Sequence, residues 1–186
     1  MRINHLFSLM LAVPAALGSI SFPLAQAVQL SDGSTHFVQP PRLISATTTF
    51  NIANVWSSTY FFTLNLPENA GEPLQRVTIS LREGGDFPRF FLNESRAFSG
   101  TSENRDRMLS LGEVTQDRDS QTLTVNFDPP VPPGQTVTIR LHPVRNPRYS
   151  GVYLFGVTAF PPGESPRGQF LGYGRLHFYE GRDRFW

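Results

Sequence analysis

Short apolar runs recur along the chain, and turns rich in proline and glycine separate them. In residues 57–66, the apolar side chains Tyr60, Phe62 and Leu64 alternate with polar residues such as Thr63. This two-residue period places successive side chains on opposite faces and is typical of a half-buried β-strand. No sustained 3.6-residue period indicates a long helix after the N-terminal region, so the pattern predicts an all-β protein. The same alternation occurs in residues 74–81, 121–127 and 135–141.

Residues 146–163 contain the densest apolar run after the N-terminal region, with prolines near both ends. Within it, Val152 and Leu154 share one face, and Tyr153 and Phe155 share the other. A strand that is apolar on both faces is deeply buried, so its second face must be covered by a loop, a partner or a neighbouring chain. With the regular turn spacing, the pattern predicts a single domain, an immunoglobulin-like β-sandwich of about seven to nine strands.

Two stretches between the clear strands are harder to assign. Residues 87–92 predict an edge strand, because Pro88 removes a backbone donor. Residues 93–107 are polar, mixed in charge and poor in apolar anchors. They predict a long surface loop, with one helical turn near residues 102–108.

The N-terminus has the pattern of a secretory signal peptide. Arg2 and His5 precede an apolar run that ends in the small residues Ala25 and Ala27. We therefore expect cleavage after Ala27, a mature domain at residues 28–186, and no membrane-spanning segment once the leader is removed. The destination is the periplasm, the cell envelope or the medium, with the thylakoid lumen as a further option.

Charge and cysteine content restrict the partners. All 16 basic residues are arginine and face 15 acidic residues, and there is no cysteine. A nucleic-acid binder needs a surplus of positive charge, so nucleic acid is not an expected partner. The lack of cysteine fits an exported protein whose stability comes from its core alone.

The last strand, residues 169–180, carries the most suggestive pattern. Alternation places Tyr173, Arg175, His177 and Tyr179 on one face, together with Leu171, and assigns Phe170, Gly172, Gly174, Leu176 and Phe178 to the core face. The tyrosine rings can stack on a sugar, and the paired N–H groups of the arginine can donate to its hydroxyl or acidic groups, so the row suits a sugar or polymer surface. An ordinary sheet face with cross-strand aromatic contacts would show the same residues.

A smaller basic cluster lies next to the densest run. Arg148 and Tyr149 follow Arg145, and Arg140 precedes them. The cluster could bind an anion, or its arginines could pair with surface acids within residues 94–106. Arg148 and Tyr149 are therefore candidate binding residues.

No metal or cofactor is expected from ligand spacing. His36, His142 and His177 could meet in space, but no pair of them has the spacing of a metal motif. Asp117 and Asp119 are better explained as hairpin-turn residues than as calcium ligands. A periplasmic metal-binding protein that uses the three histidines stays an alternative.

Catalytic signatures are missing as well. The chain has no cysteine and no Gly-x-Ser-x-Gly motif, so a nucleophilic hydrolase is not indicated. A hydrolase that uses a pair of carboxylates stays a second alternative, although nothing in the sequence marks such a pair.

Five segments serve as landmarks: LPENAGEPL at 66–74, FDPPVPPG at 127–134, NP at 146–147, GVYLFGV at 151–157 and LGYGRLHFY at 171–179. Together they resemble a family of exported cyanobacterial proteins catalogued only as a domain of unknown function. The resemblance covers residues 37–179 and implies a signal peptide followed by one β-rich domain; it implies no activity and no site residues.

The missing catalytic signatures and the apolar second face of residues 146–163 lead to the functional expectation. We expect a non-catalytic binding or structural module of the cell envelope that recognises protein or polysaccharide.

Overall fold

Alternating apolar residues build almost every element of the protein. The structure, a computed structural model, describes residues 33–181. Among these residues none forms a helix that is long and apolar enough to cross a membrane. The strands are β1 (Ser34–Thr35), β2 (Arg42–Thr48), β3 (Tyr60–Leu66), β4 (Leu74–Glu83), β5 (Arg96–Gly100), β6 (Arg105–Leu109), β7 (Leu111–Asp117), β8 (Thr122–Val131), β9 (Gln135–Leu141), β10 (Gly151–Phe160), β11 (Ser165–Pro166) and β12 (Gln169–Phe178), with one 3-10 turn at Leu92–Glu94.

Ten of these strands form two antiparallel sheets. One sheet has the order β12-β10-β4-β8-β7 and the other β2-β3-β9-β5-β6, while β1 and β11 form a short parallel pair. The predicted all-β immunoglobulin-like sandwich is confirmed. Its two sheets hold ten strands rather than the seven to nine expected.

The core between the sheets contains several aromatic side chains. Tyr60 and Phe62 of β3 face Phe155 of β10 and Phe178 of β12, and all four are buried. The ring centroids of Tyr60 and Phe178 lie 5.8 Å apart, and Phe62 meets Phe155 edge-on at 5.9 Å. Such pairs add about 0.5–1.5 kcal/mol each beyond area burial. They hold β10 and β12 firmly against the opposite sheet.

The second face of β10 is half-buried by its own sheet. Leu154 and Phe160 point away from the core and are partly exposed. The guanidinium of Arg76 from β4 lies 4.2 Å from the centroid of the Phe160 ring. Among the described residues, long side chains of the neighbouring strand β4 thus cover part of the second face of β10, because the stem of an arginine can lie along an apolar surface.

Two assignments predicted from the sequence are wrong: the loop at residues 93–107 and the edge strand at residues 87–92. Residues 93–107 are not a long loop with a helical turn, because β5 and β6 form a hairpin there and β5 also pairs with β9. Ala97 and Phe98 are buried, and the guanidinium of Arg105 lies 5.1 Å from the Phe98 ring. Residues 87–92 contain no strand; Phe90 makes one isolated bridge, to Pro143.

The predicted signal peptide, residues 1–27, lies outside the described residues. So does the start of the predicted domain at residue 28.

Candidate functional site

The outer side of β12 presents the predicted row of side chains to solvent. Tyr173 and Tyr179 are 56% and 50% exposed, and Arg175 and His177 are exposed as well, whereas Leu176 is buried. The four side chains thus share one exposed face, as the alternation predicts. Their role in binding stays a prediction.

A bulge in β12 adds a residue to this face. Val157 of β10 pairs with Gly172 but Thr158 pairs with Phe170, so Leu171 is the extra residue. The expected placement of Leu171 on the exposed face and Phe170 in the core is therefore wrong, because one inserted residue reverses the alternation. Leu171 packs against the core. Phe170 is about half exposed and joins Tyr173.

We define the β12 face as Phe170, Tyr173, Arg175, His177 and Tyr179. Its rings form two pairs: Phe170 meets Tyr173 edge-on at 5.2 Å, and His177 stacks on Tyr179 at 4.3 Å. Arg175 lies between the pairs and opposite Leu154 of β10. The face thus combines flat rings, apolar surface and a planar cation on one edge strand.

Close packing against the other sheet fixes this strand. A Cβ at Gly174 would lie 2.7 Å from the Ala46 Cβ of β2 and 2.8 Å from a carbon of the Phe62 ring. Beyond the strand, the Tyr179 amide donates to the Asn51 carbonyl at 2.7 Å. The β12 face is therefore held on rigid backbone.

A second candidate site is a cleft at one end of the sandwich, with a volume of about 620 Å³. Loops from both sheets form it: residues 85–89 follow β4, residues 118–121 connect β7 to β8, residues 144–149 connect β9 to β10, and Trp56 comes from the connection between β2 and β3. We call it the end cleft. The predicted residues Arg148 and Tyr149 line it, and both are exposed.

Four arginines line the end cleft: Arg89, Arg118, Arg145 and Arg148. Within residues 33–181, none of the four makes an ion pair. The expected pairing with acids of residues 94–106 is therefore not found in the described part of the chain. Arg140, expected in the same cluster, lies instead in β9, where it pairs with Phe61 and Arg96.

Within residues 33–181, Asp86 is the one acidic residue that lines the cleft, and its carboxylate is already hydrogen-bonded. Asp86 accepts hydrogen bonds from the Arg148 amide at 3.1 and 3.3 Å, and the Tyr153 hydroxyl lies 3.1 Å from Oδ1. Burial of the Tyr153 hydroxyl, and then the negative charge of Asp86, raise the pKa of Tyr153 to about 12. Asp86 therefore serves to hold the loop at Arg148.

Arg145 is held in place by two contacts. Its guanidinium lies 3.9 Å from the centroid of the Trp56 ring, and its Nη1 donates to the Asn54 Oδ1 at 2.9 Å. The next residue, Asn146, is buried and donates to the carbonyls of Phe50 and Ile52, each at 2.9 Å. The backbone under Arg145 is thus anchored to the core.

Sequence reasoning missed Arg89, Arg118 and Trp56. Each lies in a different loop, and nothing in the local pattern distinguishes them from other surface residues. Only the meeting of the loops at one end of the sandwich brings them together.

The three histidines do not form a metal site. The part of the chain that the structure describes contains no group of three or more His, Cys, Asp or Glu side chains placed to hold a metal ion. The Nδ1 of His142 lies 2.7 Å from the Glu94 carboxylate, and His177 stacks on Tyr179. The Nδ1 of His36 is buried and has no hydrogen-bond partner among residues 33–181.

Asp117 belongs to the hairpin turn, as expected. Its carboxylate accepts from the Ser120 hydroxyl at 2.8 Å and from the Asp119 amide at 2.9 Å. These hydrogen bonds, that of Ser120 first, lower the pKa of Asp117.

Three solved structures with a similar chain path are distant from this chain in sequence. A DUF4466 family protein from Parabacteroides merdae has a TM-score of 0.45 at 11% identity and covers 74% of this chain, which spans 44% of that one. The collagen-binding domain of a Staphylococcus aureus adhesin has a TM-score of 0.36 at 10% identity, covering 72% of this chain and 100% of its own. A cohesin module from a Clostridium perfringens family 33 glycoside hydrolase has a TM-score of 0.37 at 14% identity. The match covers 74% of this chain and 97% of the cohesin module. Likeness at this level says nothing about what this chain binds.

Curated proteins give no match to this chain. A family model does match it, over residues 34–178, which is nearly the whole described domain. The chain therefore belongs to the family described as "Protein of unknown function (DUF2808)".

Proposed function

We propose that this protein is a non-catalytic binding module of the cell envelope and that it holds a polysaccharide on the β12 face. The observation that carries the proposal is the row of three exposed aromatic rings, a histidine and an arginine along one rigid edge strand. Tyrosine rings offer an apolar face for the carbon-hydrogen side of a sugar ring and a hydroxyl for its polar edge. Arg175 adds several planar donors for sugar hydroxyls.

The edge position of β12 favours an extended ligand. Alternate residues of a strand are about 7 Å apart, so the row from Tyr173 to Tyr179 extends over about 20 Å. A chain of several sugar units could contact such a row in one orientation. A protein partner is the second candidate occupant, and the test below separates the two.

Export through the predicted leader, residues 1–27, would bring the domain to the periplasm or the outer envelope, where such polymers occur. The absence of a cysteine or Gly-x-Ser-x-Gly nucleophile in the sequence supports a role in binding rather than hydrolysis.

The test is retention by envelope material. The purified protein is passed over two immobilised samples from its own organism, protein-free envelope polysaccharide and solubilised envelope protein. The triple variant Tyr173→Ala, Arg175→Ala, Tyr179→Ala should lose at least tenfold in retention on the polysaccharide, because rings and charge that fill a contact centre dominate binding energy.

The matched control is the double variant Arg42→Ala, Ile44→Ala, which removes an exposed cation and an exposed apolar side chain from edge strand β2. It should keep its retention. Unchanged retention of a folded triple variant would rule out the β12 face, and retention on the protein sample alone would replace the polysaccharide by a protein partner.

A further inference from the structure

We infer that the end cleft is a second binding site, separate from the β12 face, and that its ligand is an acidic saccharide, a sugar that bears carboxylate or sulfate groups. None of the residues of the β12 face lines the cleft. The inference therefore does not depend on the function proposed for that face.

The size and charge of the cleft restrict its ligand. A volume of about 620 Å³ lies within the range of about 300–1,000 Å³ typical of small-molecule pockets. Among the residues that the structure describes, four arginines and a single acidic residue, Asp86, line it. Because Asp86 is bonded to the Arg148 amide and faces the Tyr153 hydroxyl, the cleft has a surplus of positive charge and favours an anion.

Arginine also restricts the kind of anion. Its planar fork matches two oxygens of a carboxylate or sulfate group at once, which a compact ammonium cannot do. Arg145 is oriented before any ligand arrives, because it stacks on Trp56 and donates to Asn54. Orienting a side chain in advance lowers the entropy lost on binding.

Two exposed rings in the cleft favour a ligand with a ring of its own. Trp56 and Tyr149 are 58% and 62% exposed, and both line the cleft. An inorganic anion would contact only the guanidinium groups and would leave most of the volume empty. A sugar ring can lie on an aromatic face while its acidic group reaches the arginines.

Nucleic acid also offers anions and rings, but it needs a broad basic surface. The chain has a formal net charge of +1, so the positive charge of the end cleft is local. A short acidic saccharide requires only such a local surplus.

The experiment is titration of the full chain by calorimetry and tryptophan fluorescence with four probes: a tetrasaccharide of galacturonic acid, a sulfated galactan tetrasaccharide, the neutral maltotetraose, and sodium sulfate. At least one acidic tetrasaccharide should bind ten times more tightly than maltotetraose and than sulfate. Its affinity should fall as the salt concentration is raised from 50 to 500 mM, because the site is open to solvent and screened.

Substitutions then locate the site. Arg89→Gln, Arg118→Gln and Arg148→Gln each remove one exposed guanidinium from the cleft, and each should weaken the acidic tetrasaccharide about tenfold. Trp56→Ala should weaken binding of the tetrasaccharide, measured by calorimetry, more than it weakens binding of sulfate, because sulfate loses only the orientation of Arg145. Thermal unfolding checks that the variants are folded.

The matched control is Arg42→Gln, which removes an exposed arginine of edge strand β2 outside both sites and should not change the affinity for the acidic tetrasaccharide. Arg175→Gln removes an exposed arginine of the β12 face and tests whether the ligand lies there instead. If Arg175→Gln weakens that affinity and the cleft variants do not, the ligand lies on the β12 face; the inference then fails while the proposed function stands. Equal affinity for sulfate and for the tetrasaccharides, or no binding of any probe, would also overturn it.

Discussion

At the scale of single residues, Asn146 connects the loop after β2 to the core. The Tyr60 hydroxyl donates to its Oδ1 at 3.0 Å, and its amide donates to the carbonyls of Phe50 and Ile52. Tyr60 and Asn146 are both inaccessible to solvent. Because a buried polar group without its partner is costly, this small network holds the backbone that carries Arg145 and Trp56.

We predict that Tyr60→Phe lowers the free energy of unfolding by about 1–3 kcal/mol, since the buried Asn146 Oδ1 loses its hydrogen-bond donor. Urea unfolding followed by circular dichroism measures the change. Tyr173→Phe removes a hydroxyl from an exposed ring and should change stability by less than about 0.5 kcal/mol. Equal effects of the two substitutions would show that the Tyr60 hydrogen bond does not contribute to stability.

At the scale of elements, alternation predicted the strong strands but not their irregularities. Residues 57–66 and 135–141 contain β3 and β9, because alternate residues in each are apolar and buried, such as Phe62 and Ile139. The bulge at Leu171 had one signal, Gly172, since a glycine within a strand pattern often marks a bulge. No signal in the sequence predicted the hairpin of β5 and β6, because Ala97 is small and because apolar and polar residues alternate little in these strands. Pairing of β5 with β9, rather than the local pattern, forms the hairpin.

We predict that Gly174→Ala destabilises the protein by about 1–3 kcal/mol, because the added methyl group would lie under 3 Å from Ala46 and Phe62 and must push β12 away from β2. The same substitution should weaken ligand retention by the β12 face. Chemical denaturation measures the first effect, and the polysaccharide column described above measures the second.

Gly112→Ala is the matched control for Gly174→Ala. Gly112 also lies in an edge strand, β7, and its added methyl group would be 3.5 Å from the Asp128 Cβ, an ordinary contact. It should leave stability unchanged or raise it slightly, because alanine restricts the unfolded chain. Loss of stability in both variants would mean that the strand backbone, not the contact with β2, requires glycine.

At the scale of the whole molecule, the fold class could be predicted from the sequence and the end cleft could not. Fold class follows from a two-residue period that repeats in the long strands. The cleft depends on four loops that meet at one end: Arg89 and Arg118 are far apart in sequence from Arg145, and no periodic pattern relates them. Arg148 and Tyr149 were found only because they lie next to the densest apolar run.

The lack of lysine makes the response to alkaline pH a property of the tyrosines. Arginine stays charged up to about pH 12 and an α-amine titrates near pH 8, so tyrosine is the side-chain type that loses its proton in an unfolded chain between pH 10 and 12. Burial raises the pKa of Tyr60 above its usual value, and burial and Asp86 raise the pKa of Tyr153 to about 12. In this range the unfolded chain releases protons that the folded protein retains at Tyr60 and Tyr153. The contribution of these two groups to the free energy of unfolding is therefore fully present below pH 10 and is lost as the pH rises.

We therefore predict that the free energy of unfolding, measured in urea, falls from pH 10 to pH 12 and is flat from pH 8.5 to pH 9.5. The double variant Tyr60→Phe, Tyr153→Phe should be less stable at pH 9, yet its stability should fall less steeply above pH 10, because its buried rings have no proton to lose. The pH 8.5–9.5 range is the internal control, since neither tyrosine titrates there. An identical alkaline fall in the double variant would mean that exposed groups cause it, and that the hydroxyls bonded to Asn146 and Asp86 do not couple protonation to folding.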